Sequence, residues 1–272
     1  MMEYLVVLDF EWTADKYKKM EPIPEITQFP SVVMALVERK AKNGMPLPDV
    51  PVPPTAPRGG GGGGDDDDYD SQRRIIPLPS DLTTPCAEFV RRDALAISAF
   101  DTFVRPTLNP VLSDFSIRLT AITQPQVDAA PTIDVALNQY MSWLQSLGLV
   151  DSSDGRRKGH WCFVTWGDGD IMSTLRRELD YKSIRLPPCF DRWINLKSDS
   201  MFKKHYGREP RGGLRACVES VGATWEGRAH NGLVDSLQTA KIVRHMVQTG
   251  FRFTRPTRGL GKDGIPFGHK KR

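Results

Sequence analysis

The sequence predicts an α/β fold in which a mixed sheet of five to six strands is flanked by helices on both faces. Three apolar runs, at residues 4–10, 31–39 and 95–105, have the length and composition of strands and predict an antiparallel meander. In the second half of the chain, helical and strand patterns alternate, which is typical of a sheet covered on both faces. With 272 residues, 39% of them hydrophobic and 26% charged, the chain is long enough for one such domain.

The elements of the second half are placed by their ends and their apolar patterns. Thr132 is a suitable N-cap for a helix through residue 147, which carries one apolar stripe and is followed by Gly148. The other predicted elements, in chain order, are a strand at 161–166, a helix at 171–179, a strand at 191–195, and helices at 198–206, 214–221 and 234–249.

The composition excludes several classes of protein. No apolar run reaches the length of a membrane span, and the N-terminus lacks the pattern of a secretory signal. The four cysteines are far apart and form no C-x-x-C pair, which indicates reduced thiols rather than a disulfide framework or a zinc site. We therefore expect an intracellular protein without a membrane segment, in the cytoplasm, the nucleus or an organelle.

Two segments differ in composition from the rest. Residues 40–85 contain a proline-rich stretch, six consecutive glycines and four consecutive aspartates, which predicts a disordered insert in the loop between two strands. Residues 251–272 carry seven Lys or Arg and one Asp, so this tail could bind a polyanion or simply keep the protein soluble. The sequence thus predicts a single domain over residues 1–250, interrupted by the insert and followed by a basic tail.

The first predicted strand ends in two acidic residues, Asp9 and Glu11. Residues i and i+2 of an extended strand face the same side, so the two carboxylates are expected to lie together. Like charges at the edge of a core raise each other's pKa and destabilise the fold unless a cation lies between them. Mg²⁺ or Mn²⁺ suits such hard oxygen ligands. The alternative is a strand that ends at its first solvated residues.

Two further polar sets follow buried elements. Asp168 and Asp170 come after the strand at residues 161–166, and His230 precedes Asp235 at the start of the last helix. Taken singly, these are ordinary positions for a helix cap or for a partner of the helix dipole. Taken together, four carboxylates at the ends of elements on one sheet can hold two Mg²⁺ ions for phosphodiester hydrolysis, and a nearby histidine can accept the proton of the attacking water.

Five longer stretches accompany the acidic residues and the histidine: EITQFPSVV (25–33), FDTFVRPTLNPVLSDFSIRLTAITQ (100–124), WGDGDI (166–171), WINLK (193–197) and GLRACVESVGATWEGRAHNGLVDSLQTAKIV (213–243). Together these residues and stretches resemble the DEDDh branch of the DnaQ-like 3′–5′ exonucleases. Within it they are most similar to the eukaryotic exoribonucleases that degrade small interfering RNA and trim the ends of histone mRNA and 5.8S ribosomal RNA. The resemblance implies a ribonuclease-H-like fold.

The resemblance also implies a role for each of the five residues. Asp9 would bridge two Mg²⁺ ions, for which Mn²⁺ can substitute. Glu11 and Asp235 would complete the site of the ion that binds the nucleophile. Asp170 would support the ion at the leaving group, and His230 would be the general base.

Other residues are implied to contact the RNA. The candidates for the terminal nucleotide are Phe10, Trp12, Thr13, Trp166 and Asn231, and those in the tail are Arg252, Arg255, Arg258, Lys270, Lys271 and Arg272. The family usually has Trp directly before its second acid, where this chain has Gly169, so base stacking is assigned to Trp166 or Trp12. Asp168 is assigned to the loop, because the family places its acid directly before the helix.

The expected activity is metal-dependent hydrolysis of RNA from single-stranded or structured 3′ ends, with release of 5′-mononucleotides. The presence of all five residues favours an active enzyme. One alternative is a catalytically dispensable RNA-binding subunit of a larger ribonucleoprotein assembly. The other is a DNA-directed 3′–5′ exonuclease, which a comparison of matched RNA and DNA strands would separate, since the 2′-OH distinguishes them.

Overall fold

The computed structural model describes residues 1–38, 76–86 and 91–260, together with the backbone of residues 266–267. Within these residues eight strands form one mixed sheet, which confirms the predicted α/β class. Three short strands extend the sheet beyond the five that the sequence pattern places. The strands are β1 (Tyr4–Leu8), β2 (Glu11–Trp12), β3 (Ile26–Glu38), β4 (Arg92–Phe103), β5 (Trp161–Thr165), β6 (Arg192–Asn195), β7 (Arg258–Leu260) and β8 (Pro266–Phe267).

The helices of the described residues are α1 (Ser80–Thr83), α2 (Asp114–Thr120), α3 (Gln124–Asp128), α4 (Ile133–Ser146), α5 (Arg176–Tyr181), α6 (Lys204–Tyr206), α7 (Gly213–Ser220) and α8 (Gly232–Gln248). Five of them, α4 to α8, lie close to predicted positions, whereas α1, α2 and α3 were not predicted, and α1 lies in the segment predicted to be disordered. Wider π-helical turns at Gly169–Leu175 and Asp199–Lys203 lead into α5 and α6. The helix predicted from residue 171 therefore begins at Gly169, which puts Asp170 in its first turn.

The sheet combines an antiparallel and a parallel half. β1 pairs with β3, and β3 with β4, both antiparallel, which confirms the predicted meander. On its other side β1 is parallel to β5, and β5 is parallel to β6. Because β1, β5 and β6 run in the same direction, their carboxyl ends meet at one edge of the sheet.

The first predicted strand is interrupted at the position where its acidic residues begin. Leu8 is the last β1 residue, paired with Ser31, and Glu11 resumes the ladder opposite Gln28. Pro30 lies opposite the gap and has no N–H to donate, which accounts for the break. Asp9 therefore sits between two strand segments and not within a continuous strand.

Side-chain alternation along β1 divides the core into two layers. Leu5 and Val7 pack with residues of α7 and α8 on one face, whereas Val6 and Leu8 pack with α4 on the other. All four side chains are completely buried. Burial on both faces explains why β1 is a continuous apolar run.

The two segments of unusual composition are partly built into the domain. Most of the predicted 40–85 insert lies outside the described residues, but its end forms α1, where Asp81 and Thr84 accept hydrogen bonds from the Arg244 guanidinium through their backbone oxygens. Part of the predicted tail packs on the sheet. Within residues 251–260, Phe253 is buried and β7 pairs with β6. The tail is therefore continuous with the sheet at its start, and its remaining basic residues lie outside the described part.

None of the helices described here is both long enough and apolar enough to cross a membrane.

Candidate functional site

The edge where the parallel strands end gathers the predicted acidic residues. Asp9 directly follows β1, and Asp170 lies in the first helical turn after β5. Lys197 follows β6, and α8 begins at the same edge. Ligand sites of α/β sheets are commonly formed at the carboxyl ends of parallel strands, so the topology explains why residues from distant parts of the chain converge here.

The side chains make one cluster. Glu11, His230 and Asp235 each offer a ligand atom, and these atoms lie within 4.8 Å of one another. Asp170 is tied to the strand break, because its Oδ1 accepts a hydrogen bond of 2.8 Å from the Phe10 backbone N–H. Asp9 lies close enough to Asp170, Asp235 and Glu11 for their charges to raise its pKa.

Burial raises the pKa of every acid in this cluster, and repulsion from the other acids adds to the rise at Asp9 and Glu11. Burial, followed by the charges of Asp235 and Asp170, raises the pKa of Glu11 to about 8. Burial raises the pKa of Asp170 to about 7 and that of Asp235 to about 6. The pKa of Asp9 lies well above its ordinary value, owing first to burial and then to its three acidic neighbours. The fold thus concentrates negative charge where the protein itself does little to neutralise it.

The cluster fits a divalent cation. Asp235 Oδ2 accepts a hydrogen bond of 3.0 Å from the His230 backbone N–H, but Asp235 Oδ1 is buried without a hydrogen-bond partner among the described residues. A buried carboxylate oxygen without a partner is costly unless a cation or water satisfies it. Lys197 lowers the pKa of Asp9 and Asp170, yet it does not prevent their net rise. Carboxylate oxygens in this arrangement are suitable ligands for a hard divalent ion.

The start of α8 is fitted closely against the strand break. A Cβ at Gly232 would lie 2.6 Å from the Asp9 backbone oxygen and 2.9 Å from Pro30 Cγ, so only glycine allows this approach. Asn231 caps α8, because its side chain accepts a hydrogen bond from the Val234 backbone N–H. His230 adopts a left-handed backbone conformation with φ of 60°, which directs the chain into the helix.

Asp168 has a different role from Asp170. Its Oδ1 accepts a hydrogen bond of 3.1 Å from Trp193 Nε1, and its Oδ2 forms an ion pair of 3.0 Å with Arg258. These contacts hold the turn after β5 against β6 and β7. The assignment of Asp168 to the loop, and of Asp170 to the acidic cluster, agrees with these contacts.

Three predicted substrate residues are placed in the core. The Phe10 ring is 1% exposed and packs on Phe29 with ring centroids 4.5 Å apart, so only its backbone reaches the cluster. Trp166 is 7% exposed and packs against Phe202. Thr13 is buried, and both its N–H and its Oγ1 bond to Glu25. These rings and this hydroxyl are turned inward because the segments next to the site also supply the core.

Trp12 remains beside the cluster and is only half-buried. A Cβ at Gly169 would lie 3.8 Å from Trp12 Cη2, so the indole occupies the space next to residue 169. The bulky residue at 12 and the small residue at 169 are therefore complementary, and a large side chain at 169 would have to displace the indole.

The basic tail residues that were predicted to contact RNA fall into three groups. Arg252 and Arg255 are exposed, and Arg258 is held by Asp168 within the fold. Lys270, Lys271 and Arg272 lie outside the described residues.

Two residues near the cluster were not among the predicted site residues. Lys197 is the cation that lowers the pKa of Asp9 and Asp170. Gln28 Oε1 accepts a hydrogen bond of 2.9 Å from the Gly232 backbone N–H, and Gln28 Nε2 donates to Asp101 Oδ1, which joins β3 and β4 to the start of α8. The position of Lys197 directly after a buried parallel strand is the signal that could have identified it.

Comparisons with known proteins agree with this arrangement. The sequence profile of the exonuclease family (RNase_T) matches residues 85–243. ERI1 exoribonuclease 2 of Danio rerio is 37% identical over 188 residues, which cover 66% of this chain and 32% of that protein. The 3′-5′ exoribonuclease 1 of Homo sapiens is 34% identical over 158 residues, covering 56% of this chain and 41% of that one. This chain therefore spans about a third of the length of the first relative.

A solved structure supports the same fold. The nuclease domain of 3′hExo, a DEDDh family member bound to rAMP, is 26% identical with a TM-score of 0.63, and the match covers 92% of this chain and 94% of that domain. This likeness confirms that the mixed sheet and its flanking helices have the predicted ribonuclease-H-like architecture.

Proposed function

This chain belongs to the exonuclease family, and from that premise we propose that it hydrolyses RNA from the 3′ end with divalent cations and releases 5′-mononucleotides. The observation that carries the proposal is the cluster of Asp9, Glu11, Asp170 and Asp235 at the carboxyl ends of three parallel strands, where burial raises each pKa and repulsion adds to the rise at Asp9 and Glu11. A cluster of this kind is stable in its charged form only with cations from outside the protein.

The four acids would hold the cations, which we take to be two Mg²⁺ ions with Mn²⁺ as a substitute. Bound there, the ions would activate a water molecule and stabilise charge on the phosphate oxygens. The protein's own contribution is orientation: the Phe10 N–H fixes one oxygen of Asp170, and the His230 N–H fixes one oxygen of Asp235. The other oxygen of Asp235 stays available as a ligand.

We assign His230 as the general base. Its imidazole is exposed, and one of its ring nitrogens lies within 4.8 Å of carboxylate oxygens of Glu11 and Asp235. An exposed imidazole at the border of the acidic cluster can take the proton of the attacking water and pass it to solvent. The cap at Asn231 and the close contact of Gly232 with Asp9 hold the turn that presents it.

We assign the stacking surface for the terminal base to Trp12. This side chain is half-buried beside Gly169, one residue before Asp170, whereas the Trp166 ring lies in the core. Stacking on an aromatic face tolerates any base, which suits removal of successive nucleotides.

The test of the proposed function is a time course on a 5′-labelled RNA with a single-stranded 3′ overhang. We expect a ladder that shortens from the 3′ end in Mg²⁺ and is absent with chelator or in Asp170→Asn. Asp168→Asn is the matched control, since this neighbouring acid is committed to Trp193 and Arg258 and should keep activity. RNA binding without any ladder in Mg²⁺ or Mn²⁺ would contradict the proposal and favour a non-catalytic RNA-binding subunit. Faster cleavage of a matched DNA strand would favour a DNA-directed exonuclease.

A further inference from the structure

The loop that follows Trp12 has features that the acidic cluster does not use. Residues 14–24, here called the lysine loop, leave the sheet at Thr13 and return at Glu25. These two residues close the loop, since the Thr13 N–H donates to Glu25 O at 2.8 Å and the Glu25 N–H donates to Thr13 Oγ1 at 3.0 Å. Compact surface loops with joined ends are frequently functional.

Hydrogen bonds from residues 109 and 113 hold both ends of the lysine loop. Ser113 Oγ donates a hydrogen bond to the Ala14 backbone oxygen, and Asn109 Nδ2 donates to the Ile23 backbone oxygen at 3.0 Å. Both ends of the lysine loop are therefore fixed to the domain next to the site. Only its tip projects.

The tip presents an aromatic ring to solvent in a preformed turn. Asp15 Oδ1 accepts hydrogen bonds from the backbone N–H groups of Tyr17 and Lys18, at 2.8 and 3.0 Å, which fixes the turn. Tyr17 is 85% exposed, more than any other large hydrophobic side chain in the described residues. Lys16 Nζ lies 5.1 Å from the centroid of the Tyr17 ring. An aromatic residue so exposed on a fixed turn has no packing role among the residues that the structure describes.

The tip carries positive charge and lies a short distance along the chain from the acidic cluster. Lys19 pairs with Glu21 at 3.5 Å, whereas Lys16 and Lys18 are exposed on either side of Tyr17. Tyr17 follows Trp12 by five residues, so their Cα atoms are at most about 18 Å apart. A polyanion that must enter an acidic centre is repelled there, and cations at the rim offset that repulsion.

We propose that the lysine loop binds the RNA strand upstream of its 3′-terminal nucleotide, with Tyr17 stacking on a base and Lys16 and Lys18 contacting phosphates. Alternating cations and aromatic rings are the usual composition of surfaces that bind single strands without sequence preference. The inference rests on the proposed function, because it takes the acidic cluster as the end of the path of the strand.

The experiment compares steady-state kinetics on a dinucleotide and on an RNA of about twelve nucleotides, a length within the usual site sizes of single-strand binders. Tyr17→Leu keeps the apolar bulk without the ring, and we expect the KM for the longer RNA to rise on the order of tenfold with kcat unchanged. Its kinetics on the dinucleotide should equal those of the wild type. Tyr17→Phe keeps the ring and should restore the wild-type KM.

A second variant isolates the lysines. Replacing Lys16 and Lys18 by Ala should reduce the slope of log kcat/KM against log salt concentration by about 1.4 on the longer RNA, at about 0.7 per phosphate contact. The matched control replaces Arg156 and Lys158, which lie before β5 at the opposite edge of the sheet, and should leave the slope unchanged.

The outcomes separate this inference from the proposed function. A KM for the longer RNA within about twofold of wild type in Tyr17→Leu, or an equal rise on the dinucleotide, would overturn the inference while leaving the nuclease in place. Wild-type protein that hydrolyses neither substrate would overturn the proposed function itself.

Discussion

Glu25 and the acidic cluster are both buried, but their pKa values are shifted in opposite directions. Glu25 is completely buried, and its carboxylate accepts hydrogen bonds from the backbone N–H groups of residues 107–109 and forms an ion pair of 2.8 Å with Lys182. Burial alone would raise its pKa, but Lys182 and these N–H groups outweigh burial and lower the pKa of Glu25. The same lysine also pairs with the buried Glu178 at 2.7 Å.

The acidic cluster at the carboxyl ends of the strands has fewer such partners: Asp170 and Asp235 each accept one backbone N–H, and no ion pair with the cluster is found among the described residues. The pKa values of Asp9, Glu11, Asp170 and Asp235 are all raised, first by burial, and at Asp9 and Glu11 also by the neighbouring acids. The difference shows that this fold can keep a buried carboxylate ionised through its own groups, as it does at Glu25. At the cluster the compensation is left to ions from outside, as expected of a metal site.

The largest effect is expected for Asp9→Asn. The substitution removes the acid that lies close to all three others, so RNA hydrolysis should fall to background. The melting temperature in chelator should not fall, because a neutral side chain relieves repulsion. Initial rates and thermal denaturation check both parts. A rate within about tenfold of wild type would remove Asp9 from the centre.

The next largest effect is expected for His230→Ala. Loss of a positioned base should lower kcat by about 10²–10⁴-fold while binding of RNA and of Mn²⁺ stays near wild type. His160→Ala is the control, since this exposed histidine precedes β5 at the opposite edge of the sheet. Loss of Mn²⁺ affinity in His230→Ala would instead make His230 a metal ligand.

Glu25→Gln tests whether the buried ion pair between Glu25 and Lys182 stabilises the fold. Removing one member of a buried ion pair should lower the free energy of unfolding by about 3–5 kcal/mol, measured by chemical denaturation. Asp9→Asn, an equally conservative change, should cause no such loss in chelator. Equal stability of the two variants would mean that the two groups of carboxylates do not differ as described.

The smallest effect concerns pH. A carboxyl group whose pKa is raised on folding binds its proton more tightly in the folded state, so stability is lost as pH rises through the folded pKa. Burial lowers the pKa of His205 and His245, so the stability that these two histidines add as pH rises through the unfolded pKa is largely complete above about pH 7. From there to about pH 8, ionisation of Asp170 and Glu11 should cost the chelated protein about 1–2 kcal/mol.

The measurement is the free energy of unfolding in chelator across this pH range. A saturating divalent cation should remove most of the decline, and Asp9→Asn should flatten it. A stability that rises with pH in chelator would contradict the raised pKa values.

Much of the fold and the acidic cluster could be predicted from local sequence. The continuous apolar run of β1, the strand β5 and the first turn of α8 fixed where Asp9, Asp170 and Asp235 would lie. Side-chain orientation could not be predicted in the same way. Phe10 and Trp166 flank the cluster in sequence, but tertiary packing turns both rings into the core.

Contacts between distant segments of the chain also could not be predicted from the local sequence pattern. Arg258 is one of the predicted tail contacts to RNA, and it pairs with Asp168, 90 residues away, once β7 joins β6. Lys197 follows a predicted strand, but the local pattern does not show that this strand is parallel to its neighbour. The proximity of Lys197 to the acids depends on the parallel pairing of β5 and β6.

We propose that the four carboxylates together hold the divalent cations on which hydrolysis depends. The most direct test of this proposal is calorimetric titration of Mn²⁺ into metal-free wild-type protein, Asp9→Asn and Asp168→Asn at one pH near 8. We predict saturable binding to wild type and Asp168→Asn, with loss in Asp9→Asn. No saturable binding to wild type, or equal binding to Asp9→Asn, would contradict the proposal.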